Sequence, residues 1–238
     1  MTVVKRAITM SLLMAGAIVG MATPAAAQAV HSLHLGAGLF VPRSYDARAA
    51  DDVWVENQNT LSFDIKDFRG ATATGEWTVT FGDRVEVGLG AGFYQRTVPS
   101  VYADYVNING AEIEQDLKLR VIPVSAVVRF LPFGTAGRVQ PYIGGGVSAL
   151  QWRYSETGEF VDFFDGFEVF RDRYVATGNA IGGVALAGLR LPLGGDIYAL
   201  NTEFRYQFAT GDLKDNGFLT EKIDLSGLNF TVGFQIRF

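Results

Sequence analysis

The chain has 238 residues, is 48% hydrophobic and 13% aromatic, and carries a formal net charge of −5. That acidic balance offers no basic face to nucleic acid, and the absence of cysteine excludes a disulfide framework, thiol metal sites and a lipidated cysteine. The length suits one domain and is small for two.

Lys5 and Arg6 precede an apolar run from Ala7 to Gly20, and the small residues Ala25, Ala26 and Ala27 follow. This is the order of a secretory signal, with cleavage expected after Ala27 and, as the alternative small-x-small site, after Ala29. The run falls short of the roughly 18 to 20 apolar residues of a spanning helix. No other uninterrupted apolar run occurs, so an inner-membrane helical protein is excluded. Removing residues 1–27 takes away two basic residues, shifts the net charge from −5 to −7 and leaves residues 28–238 as one domain.

The first strand is predicted over Val30 to Val41, with Leu33, Leu35, Ala37, Leu39 and Val41 on one face and His34, Gly36, Gly38 and Phe40 on the other. Arg43 to Thr74 reads as a long polar connection, within which Trp54 to Ile65 has the residue types of a hairpin extension. Glu76 to Phe81 descends and turns tightly at Gly82-Asp83-Arg84, and Val85 to Gln95 climbs with Val87, Leu89, Ala91 and Phe93 outward. After a second long connection, Thr97 to Glu114, the chain descends from Leu117 to Leu131. Pro123 is expected at a bulge there, since proline removes a ladder donor.

Pro141 to Tyr154 rises and Tyr174 to Leu191 returns, with Ser155 to Arg173 as the third long connection between them. The returning strand is rich in Gly and Ala, so its register stays open. Gly194-Gly195-Asp196 turns tightly, Tyr198 to Phe208 rises, and Thr210 to Lys222 is the fourth long connection. In the last strand Leu228, Phe230, Val232, Phe234, Ile236 and Phe238 alternate strictly with Asn229, Thr231, Gly233, Gln235 and Arg237.

Long connections follow the odd strands and short ones the even strands, which is the asymmetry of an even-stranded membrane barrel with outer loops and periplasmic turns. The expectation is therefore an all-β, eight-stranded antiparallel up-and-down transmembrane barrel in the outer membrane, both termini periplasmic. A soluble periplasmic barrel or sandwich would alternate in the same way. Against it stand charged residues inside strands on the polar face, aromatics near strand ends and the terminal aromatic.

The stretches "LRVIPVSAVVRF" (Leu119 to Phe130), "VQPYIGGGVSAL" (Val139 to Leu150) and the terminal "VGFQIRF" resemble the small outer membrane protein beta-barrel superfamily, the monomeric barrels of the OmpX, OmpA transmembrane and OmpW type. The resemblance covers essentially the whole mature chain. It implies location, contact with outer-membrane lipid and lipopolysaccharide, and assembly by the outer-membrane insertion machinery, and it implies no chemistry.

By parity Glu76, Glu86, Arg129, Glu203, Arg205 and Arg237 point inward, three of each sign. An eight-stranded barrel has room inside for side chains and little else, and buried charges persist only when paired, so a charge network across the lumen is expected. Phe234, Ile236 and Phe238 form the expected insertion signal. The third connection interleaves Asp162, Asp165 and Glu168 with phenylalanines, which reads as a hairpin extension or, more sharply, as a cation or partner surface; the spacing is not that of an EF-hand. The glycines at 88, 90 and 92 lack the strand-loop-helix context of a phosphate cradle. His31 and His34, the two histidines, fall at the periplasmic end of strand one and point to opposite faces, which suits neither catalysis on an outer-leaflet lipid nor metal binding.

The expected function is that of a non-enzymatic, monomeric envelope component or loop platform with a filled lumen and no cofactor or metal. A narrow conduit for small or apolar solutes, which the OmpW-type likeness suggests, is the alternative, and a lipid A modifying enzyme a distant third.

Overall fold

The computed structural model describes residues 29–163, 166–195, 197–213 and 217–238. The expected signal, residues 1–27, lies outside them. Eight long strands run through the chain: β1 (Val30–Pro42), β2 (Gly70–Phe81), β3 (Val85–Val106), β4 (Glu112–Phe130), β5 (Gln140–Asp162), β6 (Glu168–Pro192), β7 (Tyr198–Phe208) and β8 (Gly227–Arg237). Each pairs antiparallel with its neighbour in sequence, and β1 pairs with β8 from Ser32 opposite Arg237 to Pro42 opposite Gly227. That last ladder closes the barrel and leaves no unpaired edge at membrane level, as a lipid solvent demands.

The alternation that predicts the strands sorts their faces. Leu35 on β1, Leu89 on β3, Val124 on β4, Ile181 on β6 and Phe204 on β7 are exposed and form part of a lipid-facing band, while Ser32, Glu76, Glu86, Arg129 and Asn201 are buried inside.

Four strands outrun the prediction. β3 and β4 continue as a hairpin to Val106 and Glu112, and β5 and β6 continue to Asp162 and Glu168, so the second and third connections are mostly strand. The reason is a reversal of polarity along the same strands. Above the membrane Val98, Leu117, Leu119, Trp152 and Tyr154 face inward and are buried, whereas Asp116 and Lys118 face water. The upper part is thus built like a soluble barrel wall, with its apolar face inside.

The first connection fills that upper interior. Instead of a hairpin over Trp54 to Ile65 it forms a short helix, α1 (Val53–Asn57), then a two-residue strand, Leu61–Ser62, beside β3, and a 3-10 turn, Ile65–Phe68. Asp52 stands at the helix N-cap and its carboxylate accepts from the Trp54 N–H at 3.0 Å. Trp54 and Phe68 are fully buried, their rings stacked 3.9 Å apart. Burial of side chains this large contributes about 1.5–3 kcal/mol each. Arg48 lies over the Trp54 ring, pairs with Asp52 and donates to the Asp224 carbonyl, which ties the first connection to the fourth.

Pro123 makes no bulge. Ala91 opposite Val124 and Tyr94 opposite Val121 keep one register on both sides of it. The missing N–H interrupts the ladder, and the ring occupies the space beside Gly92, where a Cβ would stand 3.1 Å from the proline Cγ.

Candidate functional site in the barrel lumen

Three glutamates and three arginines meet in the lumen: Glu76 from β2, Glu86 from β3, Arg129 from β4, Arg190 from β6, and Glu203 and Arg205 from β7. Arg129 is the hub. It pairs with Glu76, reaches Glu203 Oε2 at 2.7 Å and stands 3.4 Å from Glu86 Oε1, its cross-strand partner in the β3–β4 register. Arg205 bridges the other side, its Nη2 at 2.7 Å from Glu76 Oε2 and its Nε at 2.8 Å from Glu203 Oε1. Arg190 grips both oxygens of Glu86, at 3.0 and 2.8 Å.

Neutral groups complete the shell. The Tyr142 hydroxyl donates to Glu203 at 3.1 Å, and both Arg129 and Arg190 lie over the Tyr142 ring. Thr80 donates to Glu86, and Arg205 donates to the Ser125 hydroxyl at 3.0 Å. Ionised partners make these contacts stronger than neutral hydrogen bonds, and charge balance lets five of the six stay buried, with Arg205 17% exposed.

The inward glycines belong to the same arrangement. A Cβ at Gly88 would meet Glu76 Oε1 at 2.7 Å and Arg129 Nη1 at 3.0 Å, and one at Gly90 would meet Glu76 Cγ at 2.8 Å. Their missing side chains are the space that the charged ones occupy. A cavity of about 40 Å³ remains beside the cluster, lined by His34, Gly92, Glu76, Arg205, Gln207 and Asn229 among others. Glycines 88, 90 and 92 lie within β3, in no phosphate-binding loop.

Five of the six charges expected inside belong to this network, and Arg237 does not. It lies half-buried at the end of β8 in a shallow pocket with Pro192, Ile197 and Tyr198, and its backbone N–H donates to the Ile197 carbonyl. Arg190 takes the place expected of it. Sequence reasoning misses Arg190 because its strand carries apolar residues on both faces, Val184 and Leu186 inside and Ile181 and Leu189 outside. The usable signal is local: Arg190 sits between Leu189 and Leu191, whose outward direction turns it in.

Phe234, Ile236 and Phe238 all face lipid, Phe238 being 72% exposed. The Phe238 N–H donates to the His31 carbonyl at 2.8 Å, and the His31 ring stacks between Trp77 and Phe238. His34 faces inward against Asn201. Asp162 and Glu168 stand opposite each other at the end of the β5–β6 ladder, while Asp165 lies outside the described residues. The aromatics of that tip pack on β3, with Tyr105 against Phe163 and Phe167. Among the described residues no three His, Asp or Glu gather to hold a metal ion.

The fold is that of the small outer-membrane β-barrels. The crystal structure of the outer membrane protein OprG from Pseudomonas aeruginosa superposes with a TM-score of 0.51, at 15% identity over 88% of this chain and 96% of that one. Neisserial surface protein A gives 0.46 at 14% identity over 88% and 97%. Ail of Yersinia pestis, solved with the heparin analogue sucrose octasulfate, gives 0.42 at 12% identity over 88% and 99%. The sequence matches no protein-family model, and no curated protein matches it.

Proposed function

We propose that this chain is a non-catalytic, monomeric outer-membrane barrel that is closed to solutes and serves the envelope as a structural component and as a platform for a folded outer cap. The observation that carries this reading is a double seal along one axis. Within the membrane the six-charge network crosses the lumen, and above it Trp54, Phe68, Trp152, Tyr154 and their neighbours form a continuous apolar core. A solute would have to break buried ion pairs and then displace packed aromatic side chains. The complete ring of strand pairs supports a monomer, since no strand edge is left for a partner at membrane level. The lipid-facing run Phe234, Ile236 and Phe238 is read as the signal through which the insertion machinery takes up the chain.

Planar-bilayer recording tests the seal. The wild-type protein is expected to be electrically silent, and Arg129→Ala, which removes the hub of the network, to leak. Stable, well-resolved openings from the wild type would instead promote the conduit, a second reading favoured by one observation: the β3–β4 ladder is interrupted at Pro123, which lines the lumen cavity.

A further inference from the structure

The outer wall of the barrel carries a cluster of cations that the lumen does not explain. In the β4–β5 register Arg120 stands directly opposite Arg153, and in the next row outward Lys118 stands opposite Ser155. Arg173 on β6 stands opposite Thr157, one row further out. Together with Gln95, the residues Lys118, Arg120, Arg153, Ser155 and Arg173 line a surface cavity of about 130 Å³. Ser155 is buried at its floor.

Like charges directly opposite each other across a ladder destabilise it unless something neutralises them. Among the described residues no carboxylate lies within ion-pair distance of any of the four cations. Asp116, the outward acid nearest in sequence, shares the outer row with Arg173 and Thr157 and does not line the cavity. In a chain of net charge −5, four uncompensated cations on one patch form a local reversal of sign.

The height of the patch decides what it faces. Two residues below Arg120, Ile122 begins the lipid-facing side of β4, followed by the exposed Val124; on β6 the exposed Ile181 stands at the same level as Ala149 of β5. Strands rise about 3.3 Å per residue, so the guanidinium groups of Arg120 and Arg153 reach water where the hydrocarbon ends and the outer-leaflet headgroups begin. We infer that Lys118, Arg120, Arg153 and Arg173 form a binding site for a phosphate group on the headgroup of an outer-leaflet glycolipid. Paired guanidinium forks match phosphate oxygens in two-point geometry, the Ser155 hydroxyl lies at the floor of the cavity, and the apolar wall below accepts the acyl chains. The inference rests on the outward-facing cap proposed above and does not depend on whether the lumen conducts.

The test uses the full-length mature protein in detergent, as wild type and as the double variant Arg120→Gln/Arg153→Gln, with three probes: diphosphoryl lipid A, the same lipid A with both phosphates removed, and inorganic phosphate. Native mass spectrometry reads the bound fraction. The wild type is expected to hold diphosphoryl lipid A about tenfold or more tightly than the variant does, the scale of losing one hydrogen bond between charged groups. Dephosphorylated lipid A is expected to bind both forms as weakly as the variant binds the phosphorylated lipid. Equal retention of the two lipids by the wild type overturns the site, as does equal retention by wild type and variant. Inorganic phosphate displacing lipid A at equal concentration overturns the lipid assignment in favour of a small-anion site. Arg171→Gln, a neighbouring cation outside the cavity, should bind as wild type does, and unchanged heat-modifiable gel mobility shows that the double variant is folded.

Discussion

Glu86 and Arg190, 104 residues apart in the chain, hold each other inside the barrel through a single guanidinium nitrogen that lies 3.0 and 2.8 Å from the two carboxylate oxygens. Both side chains are cut off from solvent, so neither can exchange its partner for water.

Arg190→Ala should therefore lower the unfolding free energy by about 3–5 kcal/mol, the range for leaving one member of a buried pair alone. Arg129, at 3.4 Å from Glu86, is the remaining cation near that carboxylate and is already shared with Glu76 and Glu203. Adding Glu86→Gln to Arg190→Ala should recover part of the loss. Urea titration in lipid vesicles measures both; a single variant within about 0.5 kcal/mol of wild type, as for an ordinary surface change, would mean that the pair contributes no stability.

The upper core holds a carboxyl group of the opposite kind. Glu156 accepts from Asn57 Nδ2 and from the Tyr154 hydroxyl and among the described residues has no cation paired with it, and burial raises its pKa above the ordinary carboxylate range. A carboxyl group raised in the folded state contributes stability at pH below its unfolded value and loses it as pH rises through the folded value. The cap should accordingly loosen as the pH rises above about 4.3, the ordinary glutamate value, in the wild type. Glu156→Gln should flatten that slope and protect the cap at the upper end. Hydrogen exchange of the α1 amides reports it, and an unchanged slope in the variant would exclude Glu156 as the source.

Glycine matters most where strands approach closely. A Cβ on Gly38 would overlap the Phe230 carbonyl oxygen across the β1–β8 closure, whereas one on Gly183 would have its nearest atom, Phe208 Cδ2, at 3.9 Å. Gly38→Ala should reduce the folded, heat-modifiable fraction in the outer membrane several-fold, which corresponds to about 1–2 kcal/mol, and Gly183→Ala should leave it intact. Equal yields of the two variants would count against closure by close packing at Gly38.

We propose that the cap faces outward and both termini face the periplasm. Single cysteines at Asp64 and Ile108 should react with an impermeant maleimide on intact cells, and ones at Asp83 and Arg138 should not; the chain has no native cysteine to interfere. Labelling of Asp83→Cys in sealed cells would invert the barrel and put both termini outside.

The membrane half of the fold is legible in the sequence because water, lipid and lumen impose opposite demands on alternate residues, and β1, β7 and β8 show this plainly. The upper half is not, because the same alternation persists there with its meaning reversed. Leu117 and Leu119 point into the cap while Leu35 and Leu89 point into lipid, and period alone cannot tell the two apart. Glu76, Glu86, Arg129, Glu203 and Arg205 are found by parity within clean strands. Arg190 escapes because Gly and Ala on both faces of β6 erase the contrast, and the buried helix α1 escapes because a five-residue helix is too short to print a period.

Above Tyr94 on β3 and Gly183 on β6, neither β2 nor β7 continues alongside, so the four longest strands stand up as a sheet with two free margins. Unpaired margins recruit foreign strands. Leu61–Ser62 lies along one of them, against Tyr102 and Val101, and the segment around Thr210–Asp212 packs beside the other. The first and fourth connections are in this sense guards: they cover the margins along which the tall sheet of one molecule could otherwise zip onto that of another.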